Sequence, residues 1–232
     1  GLNMFQPSFS WKEEIGKRIM RPLFAKQIRE AWRTVSLGGK LSDILVANGT
    51  KKEQVVVLPN GVDDFWFDSP KSVKKNEATR FLMVGRNDPV KGFRVLTEAL
   101  SLIDEPVEIH FVGDWPRLAS THHILTYHGV VRDKHLMIEI MDSCDVLLLP
   151  SLSEGMPTVV LEAKARKLHV IATDAGAVSE IENHTIEPNN PLELAQEVRR
   201  YAGTIHSRDE SGLGEEFRWS NIGKATIEIL GR

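Results

Sequence analysis

From about residue 80 onward the chain alternates short apolar, β-branched runs with longer stretches whose apolar positions recur every three or four residues. Phe81-Leu82-Met83-Val84, Val107 to Val112, Val146 to Leu149 and Val170 to Ala172 have strand length, and several end at Gly or Pro. Between them, Lys91 to Ile103 sets Phe93, Leu96, Leu100 and Ile103 at helical spacing, and Lys134 to Met141 does so with Leu136, Ile140 and Met141. Pro157 to Lys167 opens on a proline, which a first helical turn tolerates because its missing N–H would have no partner there. Repeated strand, helix, strand order predicts an α/β fold, a Rossmann-like parallel sheet flanked by helices with right-handed crossovers. Open parallel sheets bind ligands at the carboxyl ends of their strands. Function is therefore to be sought in the loops after Val84, Val112, Leu149 and Ala172.

The first fifty residues have another pattern. Trp11 to Trp32 reads as a long helix with Ile15, Ile19, Leu23 and Ile28 on one side, interrupted or kinked near Pro22. Lys12, Lys17, Arg18, Arg21, Lys26, Arg29 and Arg33 outnumber Glu13, Glu14 and Glu30, so residues 11–33 can either pack against the body with a solvated polar face or contact an anionic membrane surface. A shorter helix, Lys40 to Asn48, is expected to stop at Gly49.

Composition narrows the classes. The chain has 232 residues, 41% apolar and 26% charged, with a formal charge of -3. That excludes disorder and collagen-like repeats, and argues against nucleic acid as the main partner. No apolar run reaches the roughly 18 residues that cross a bilayer, and no signal peptide pattern occurs, so the chain reads as soluble and cytoplasmic, or peripheral to a membrane. The single cysteine, Cys144, fits a reducing compartment, and His122-His123 has no metal-ligand spacing around it. No metal site is expected.

Four stretches carry candidate chemistry. Ser151 to Ala163 follows a strand, placing Glu154 in a loop and Glu162 in the next helix, while the amides of Gly155 to Thr158 are unpaired donors of that helix start. The two carboxylates either grip ligand hydroxyls or merely complement an exposed helix end. Val84 to Gly92 is a second strand end, where Gly85 admits close backbone approach and Arg86 and Lys91 set two cations at one edge, as a diphosphate requires. Alternatively these are ordinary exposed cations beside the turn Asn87-Asp88-Pro89. Neither a Walker A loop nor G-x-G-x-x-G occurs. Val112-Gly113-Asp114 and Asp174 to Glu180 set small residues at further strand ends, and Leu58-Pro-Asn-Gly-Val-Asp63 reads as a structural turn.

These residues together resemble the nucleotide-binding half of family 4 glycosyltransferases, enzymes of the GT-B fold with two Rossmann-like domains facing across a cleft. The resemblance runs from roughly Thr34 to Val198. It rests on Leu58 to Asp63, Val84-Gly-Arg86 with Lys91-Gly92, Phe111-Val-Gly113, Ser153 to Pro157 with Leu161-Glu-Ala163, and Val170 to Thr173 with Gly176 and Glu180. It implies the carboxy-terminal half of a GT-B fold, residues 37–232, preceded in residues 1–36 by the terminal helix and strand of an acceptor-side domain. The implied function is a retaining glycosyltransferase that takes a nucleotide diphosphate sugar as donor, for an unknown sugar, lipid or protein acceptor, with no metal and no cofactor. The resemblance gives Arg86 and Lys91 the diphosphate, Glu162 the ribose hydroxyls and Glu154 a place near the donor sugar. Gly85, Gly113, Gly155, Met156, Pro157 and Thr158 would then approach the ligand through their backbone, and the loop containing His128, Gly129 and Val130 would frame the base. Lys167-Leu168-His169 departs from the family's usual Gly-Pro pair. The rival readings are a non-catalytic interaction or membrane-docking module, and a sugar nucleotide epimerase or phosphorylase of the same fold.

Overall fold

The structure, a computed structural model, describes residues 5, 8, 10–70, 78–119, 122–202, 209 and 212–230. The strands of the main sheet are β3 (Arg80–Val84), β4 (Glu108–Val112), β5 (Ile124–Gly129), β6 (Val146–Leu149), β7 (His169–Thr173) and β8 (Thr185–Ile186). They lie in the order β5-β4-β3-β6-β7-β8, with every pairing parallel. The chain works outward from β3 through β4 and β5, then crosses back to lay β6 on the other side of β3. The order thus reverses between β3 and β6, the kind of switch point where an open parallel sheet leaves a crevice. A separate two-stranded parallel sheet joins β1 (Thr34–Ser36) to β2 (Val55–Val57).

Strand alternation splits the core into two layers. Phe81, Met83, Ile109, Phe111 and Leu148 pack on one face against α4 (Phe93–Leu100) and α7 (Pro191–Tyr201), while Leu82, Val112, Leu147 and Leu149 pack on the other against α5 (Lys134–Ser143) and α6 (Thr158–Ala165). Both faces are covered, which is why these strands read as near-continuous apolar runs. The fold class is as the pattern predicts.

Three local expectations are corrected. The helix expected from Lys91 starts at Phe93, because Pro89 to Lys91 forms a single tight 3-10 turn and Gly92 takes a left-handed φ of 72° before α4 begins. The expected loop Tyr127 to Val131 is strand as far as Gly129, since β5 pairs along β4 as an edge strand. The amino-terminal helix, α1 (Trp11–Glu30), is continuous through Pro22, and its apolar side faces outward: Ile15, Ile19 and Leu23 are 52%, 70% and 50% exposed. Ile28 and Phe24 are half-buried, and Lys17 is buried and bonded to Glu13 at 2.7 Å. The helix α2 (Lys40–Ala47) ends before Gly49 as expected. Among the described residues no helix is long and apolar enough to cross a membrane.

Two buried features fix the α6 side of the sheet. Arg166, fully buried, holds Asp142 of α5 with two bonds of 2.9 and 2.6 Å, and donates to the carbonyls of Trp66, Ser69 and Pro70, tying in α3 (Asp64–Asp68). At the carboxyl end of α6, Leu168 N bonds Ala163 O and Lys167 N bonds Lys164 O, a tight reversal that sets Lys167 at φ 63°. A lysine thus occupies the left-handed position that usually favours glycine.

Candidate functional site

Strand-end loops meet backbone to backbone at the switch point. Leu152 N bonds Val90 O at 2.7 Å, so the loop after β6 docks on the loop after β3. A β-carbon at Gly92 would stand 1.8 Å from Pro150 O, so only glycine allows this contact. On the far side Ala177 N bonds Gly155 O at 2.8 Å, and a β-carbon at Gly176, φ 63°, would sit 2.2 Å from Glu154 O. Below them Gly85 N bonds Val112 O and Gly113 N bonds Gly129 O, which ties the ends of β3, β4 and β5 into one edge. Gly85 and Gly113 accordingly face neighbouring loops: Trp115 covers Gly85, and Gly113 lies against the Gly85 carbonyl.

Lys91 and Glu154 meet across the crevice. Lys91 Nζ bonds Glu154 Oε1 at 2.7 Å, joining the loop after β3 to the loop after β6, with both side chains largely buried. An ammonium has three donors, so this pair orients Lys91 and leaves capacity for a second acceptor. Arg86, one loop residue past Gly85, is exposed and its guanidinium has no partner among the described residues. The local backbone is set by two carboxylates, since Asp114 accepts from Asn87 N at 2.8 Å and Asp88 caps Val90 N at 3.0 Å.

The start of α6 adds unpaired donors. Pro157 stands buried at the helix cap without a side-chain capping bond, Gly155 and Thr158 are exposed, and Met156 turns its side chain into the core. Asn60 holds this loop from outside: its Nδ2 donates to Met156 O at 2.8 Å. The Leu58 to Asp63 segment, expected as a turn, forms no hydrogen-bonded turn: Leu58 N bonds Ser36 O and Val62 N bonds Phe217 O, so it runs between neighbouring elements and shapes the Glu154 to Pro157 loop. Glu162 lies one turn into α6. Burial first, and then the neighbouring Asp63 carboxylate, raise its pKa from 4.5 to about 7, against the opposing pull of Lys134. Asp63 in turn bonds Lys134 Nζ at 2.5 Å. The structure thus joins Lys91 to Glu154, and sets Glu162 beside Asp63 and Lys134. Lys134 and Asn60 were missed as site residues. The available signal was the Arg-Asp-Lys step at a helix start, where Asp133 caps His135 N and Leu136 N.

At the other end of the edge, His128 and Gly129 finish β5 and Val130 is 64% exposed beyond them. Among the described residues no cluster of His, Cys, Asp and Glu could hold a metal ion. Asp174 bonds Lys40 at 2.8 Å and Glu180 accepts from Gly39 N at 2.8 Å, so the loop after β7 clamps the start of α2.

A profile of the glycosyl transferases group 1 family matches residues 78–203, more than half of the chain. The chain belongs to that family. Among its relatives, TuaC of Bacillus subtilis, a glycosyltransferase named for teichuronic acid biosynthesis, is 34% identical over 62% of this chain and 41% of its own length. An MMP alpha-(1->4)-mannosyltransferase of Mycolicibacterium hassiacum is 29% identical over 90% of this chain and 56% of its own. The chain spans about half the length of the curated relatives it matches. Two solved structures share the group 1 chain's fold. Anabaena Alr3699/HepE in complex with UDP-glucose aligns at TM-score 0.73 and 19% identity, covering 92% of this chain and 68% of that one. Sucrose-phosphate synthase from Thermosynechococcus elongatus aligns at TM-score 0.74 and 18% identity, covering 92% and 61%. The α/β layering seen here is shared with both.

Proposed function

We propose that this chain is the donor-binding, carboxy-terminal portion of a retaining family 4 glycosyltransferase that accepts a uridine diphosphate sugar, the acceptor being bound outside residues 37–232. The Lys91–Glu154 pair across the β3/β6 crevice carries the reading. It places an oriented cation beside the uncapped start of α6, where a diphosphate would meet both an ammonium and free amides. The complexes of HepE with UDP and UDP-glucose support uridine as the base.

In this reading Lys91 and the unpartnered Arg86 take the two phosphates. As the bond from sugar to phosphate breaks, charge grows on the departing phosphate, and two fixed cations stabilise it more than they stabilise the ground state. They do the work of a divalent ion, so binding should survive EDTA. Glu162 accepts the ribose hydroxyls, and the backbone at Gly155 and Thr158 faces the sugar. Titration calorimetry with UDP, UDP-glucose, GDP and ADP tests this. Lys91→Ala and Arg86→Ala should each weaken UDP by about tenfold or more, the value of one charge-assisted bond. Wild-type protein that binds none of these at millimolar ligand refutes the reading.

One observation favours a membrane-facing role for α1 alongside this function. Glu13 and Glu14 pair with Lys17 and Arg21, and Glu30 with Lys26, while Trp11, Ile15, Ile19 and Leu23 share the exposed side with Arg18. Apolar and basic groups on one helix face suit an anionic lipid surface. Co-sedimentation with phosphatidylglycerol vesicles, lost in Ile19→Glu, is the expected result, and equal pelleting of both proteins overturns it.

A further inference from the structure

Three consecutive peptide planes lead the chain from Gly155 into α6, and each is held by its carbonyl from a different part of the molecule. Gly155 O accepts from Ala177 N of the loop after β7 at 2.8 Å. Met156 O accepts from Asn60 Nδ2 at 2.8 Å. Pro157 O accepts from Val160 N of α6 itself at 3.1 Å. These peptides are trans, so each N–H points away from the carbonyl of its own plane, and fixing a carbonyl aims the N–H of the next residue. The first plane therefore aims Met156 N–H and the third aims Thr158 N–H, and neither has an acceptor among the described residues. The middle plane ends on the nitrogen of Pro157, which has no hydrogen to give. Its orientation sets the angle between the other two, and the side chain that holds it lies 96 positions earlier in the chain.

Asn60 is itself held firmly enough for that task. Its backbone N–H meets Met156 Sδ at 3.2 Å, so Asn60 grips one residue by both side chain and carbonyl. Met156 is 3% exposed, packed in the core below. On either side of Asn60, Leu58 N bonds Ser36 O at 2.8 Å and Val62 N bonds Phe217 O at 2.9 Å. Gly61 leaves no slack, since a β-carbon there would stand 2.8 Å from Phe217 O. The two free donors are thus oriented before a ligand arrives, and binding is spared the cost of ordering them.

We infer that Asn60 is a positioning residue of the donor site, which by holding Met156 O sets the Met156 and Thr158 N–H groups at the angle that the oxygens of a sugar nucleotide require. This rests on the donor-binding reading above, which puts the ligand at the start of α6. Asn60 acts through the loop and touches no ligand. What the Met156 carbonyl needs from it is a donated hydrogen, so a side chain of the same shape that cannot donate should fail.

The test is Asn60→Asp, which keeps the shape and donates only when protonated. A carboxylate facing Met156 O is disfavoured, so its pKa should lie above the ordinary value of about 3.9. UDP-glucose is the probe, because its diphosphate does not titrate at neutral or mildly acid pH. Calorimetry on variant and wild-type protein at each pH should show the variant about tenfold weaker near pH ~7.5 and close to parity near pH ~4.5. Asn60→Ala should be about tenfold weaker at both. A second measurement needs no variant: in nitrogen-15 spectra of wild-type protein, UDP-glucose should displace the Met156 and Thr158 amide signals. If Asn60→Asp binds like wild-type protein at every pH, or is weakened equally at both ends of the range, Asn60 is a packing residue and the inference is overturned. Amide signals at Met156 and Thr158 that bound ligand leaves in place overturn it too. In each of these cases wild-type protein still binds UDP-glucose and the donor site stands. Wild-type protein that does not bind it refutes the donor reading and this inference together.

Discussion

Glu162 offers a test that needs no ligand. Its carboxyl is pushed from 4.5 to about 7, chiefly by burial. At about 1.4 kcal/mol per pH unit, ionising it in the folded chain costs about 3 kcal/mol, a large share of a typical 5–15 kcal/mol total. The folded state binds this proton more tightly than the unfolded state, so the cost is absent below the unfolded value. It accumulates as pH rises from 4.5 and is complete just above 7. Glu162→Gln keeps the shape and removes the charge. Urea unfolding at a series of pH values should show the variant more stable by under about 1 kcal/mol near pH 5, and by about 3 kcal/mol above pH 8. A stability difference that does not change with pH, or a variant less stable at pH 9, refutes the reasoning. The same residue should make ligand binding release protons near pH 7, since ribose hydroxyls favour the ionised carboxylate. Heats of UDP binding should then vary with the ionisation enthalpy of the buffer.

Other perturbations have outcomes of known sign. Arg166→Met strands a buried Asp142 and should lower stability by about 3–5 kcal/mol in urea unfolding, whereas Arg166→Met with Asp142→Leu should recover much of that loss. Lys167→Gly relieves a left-handed lysine at φ 63° and should raise stability by about 1 kcal/mol, seen as a melting temperature about 2–4 °C higher. Gly176→Ala forces a β-carbon onto Glu154 O and should lose at least about 2 kcal/mol and weaken UDP as well, because the displaced loop carries Glu154.

The sequence made the sheet legible because its strands are buried on both faces. Val146 to Leu149 has no polar residue to blur the signal, and its predicted bounds match β6. It hid β5, where Thr126, His128 and Gly129 at a half-exposed edge do not look like strand. The Lys91 and Glu154 positions were legible from strand ends, but their direct contact was not, because it depends on β6 lying next to β3 rather than β4, a long-range choice. Glu162 could be named from spacing, while its raised pKa depends on Asp63, 99 positions earlier in the numbering. The outward apolar side of α1 went the other way, since periodicity identifies a stripe without saying what it faces.

The backbone contacts at Gly92 and Gly176 have an evolutionary consequence. With the loops after β3, β6 and β7 interlocked main chain to main chain, there is no slack for insertions or larger residues between them. Under the proposed donor-binding function, descendants of this chain can retune donor choice only by exchanging side chains around the rim, at places such as Arg86 and Thr158, while the frame beneath is inherited unchanged.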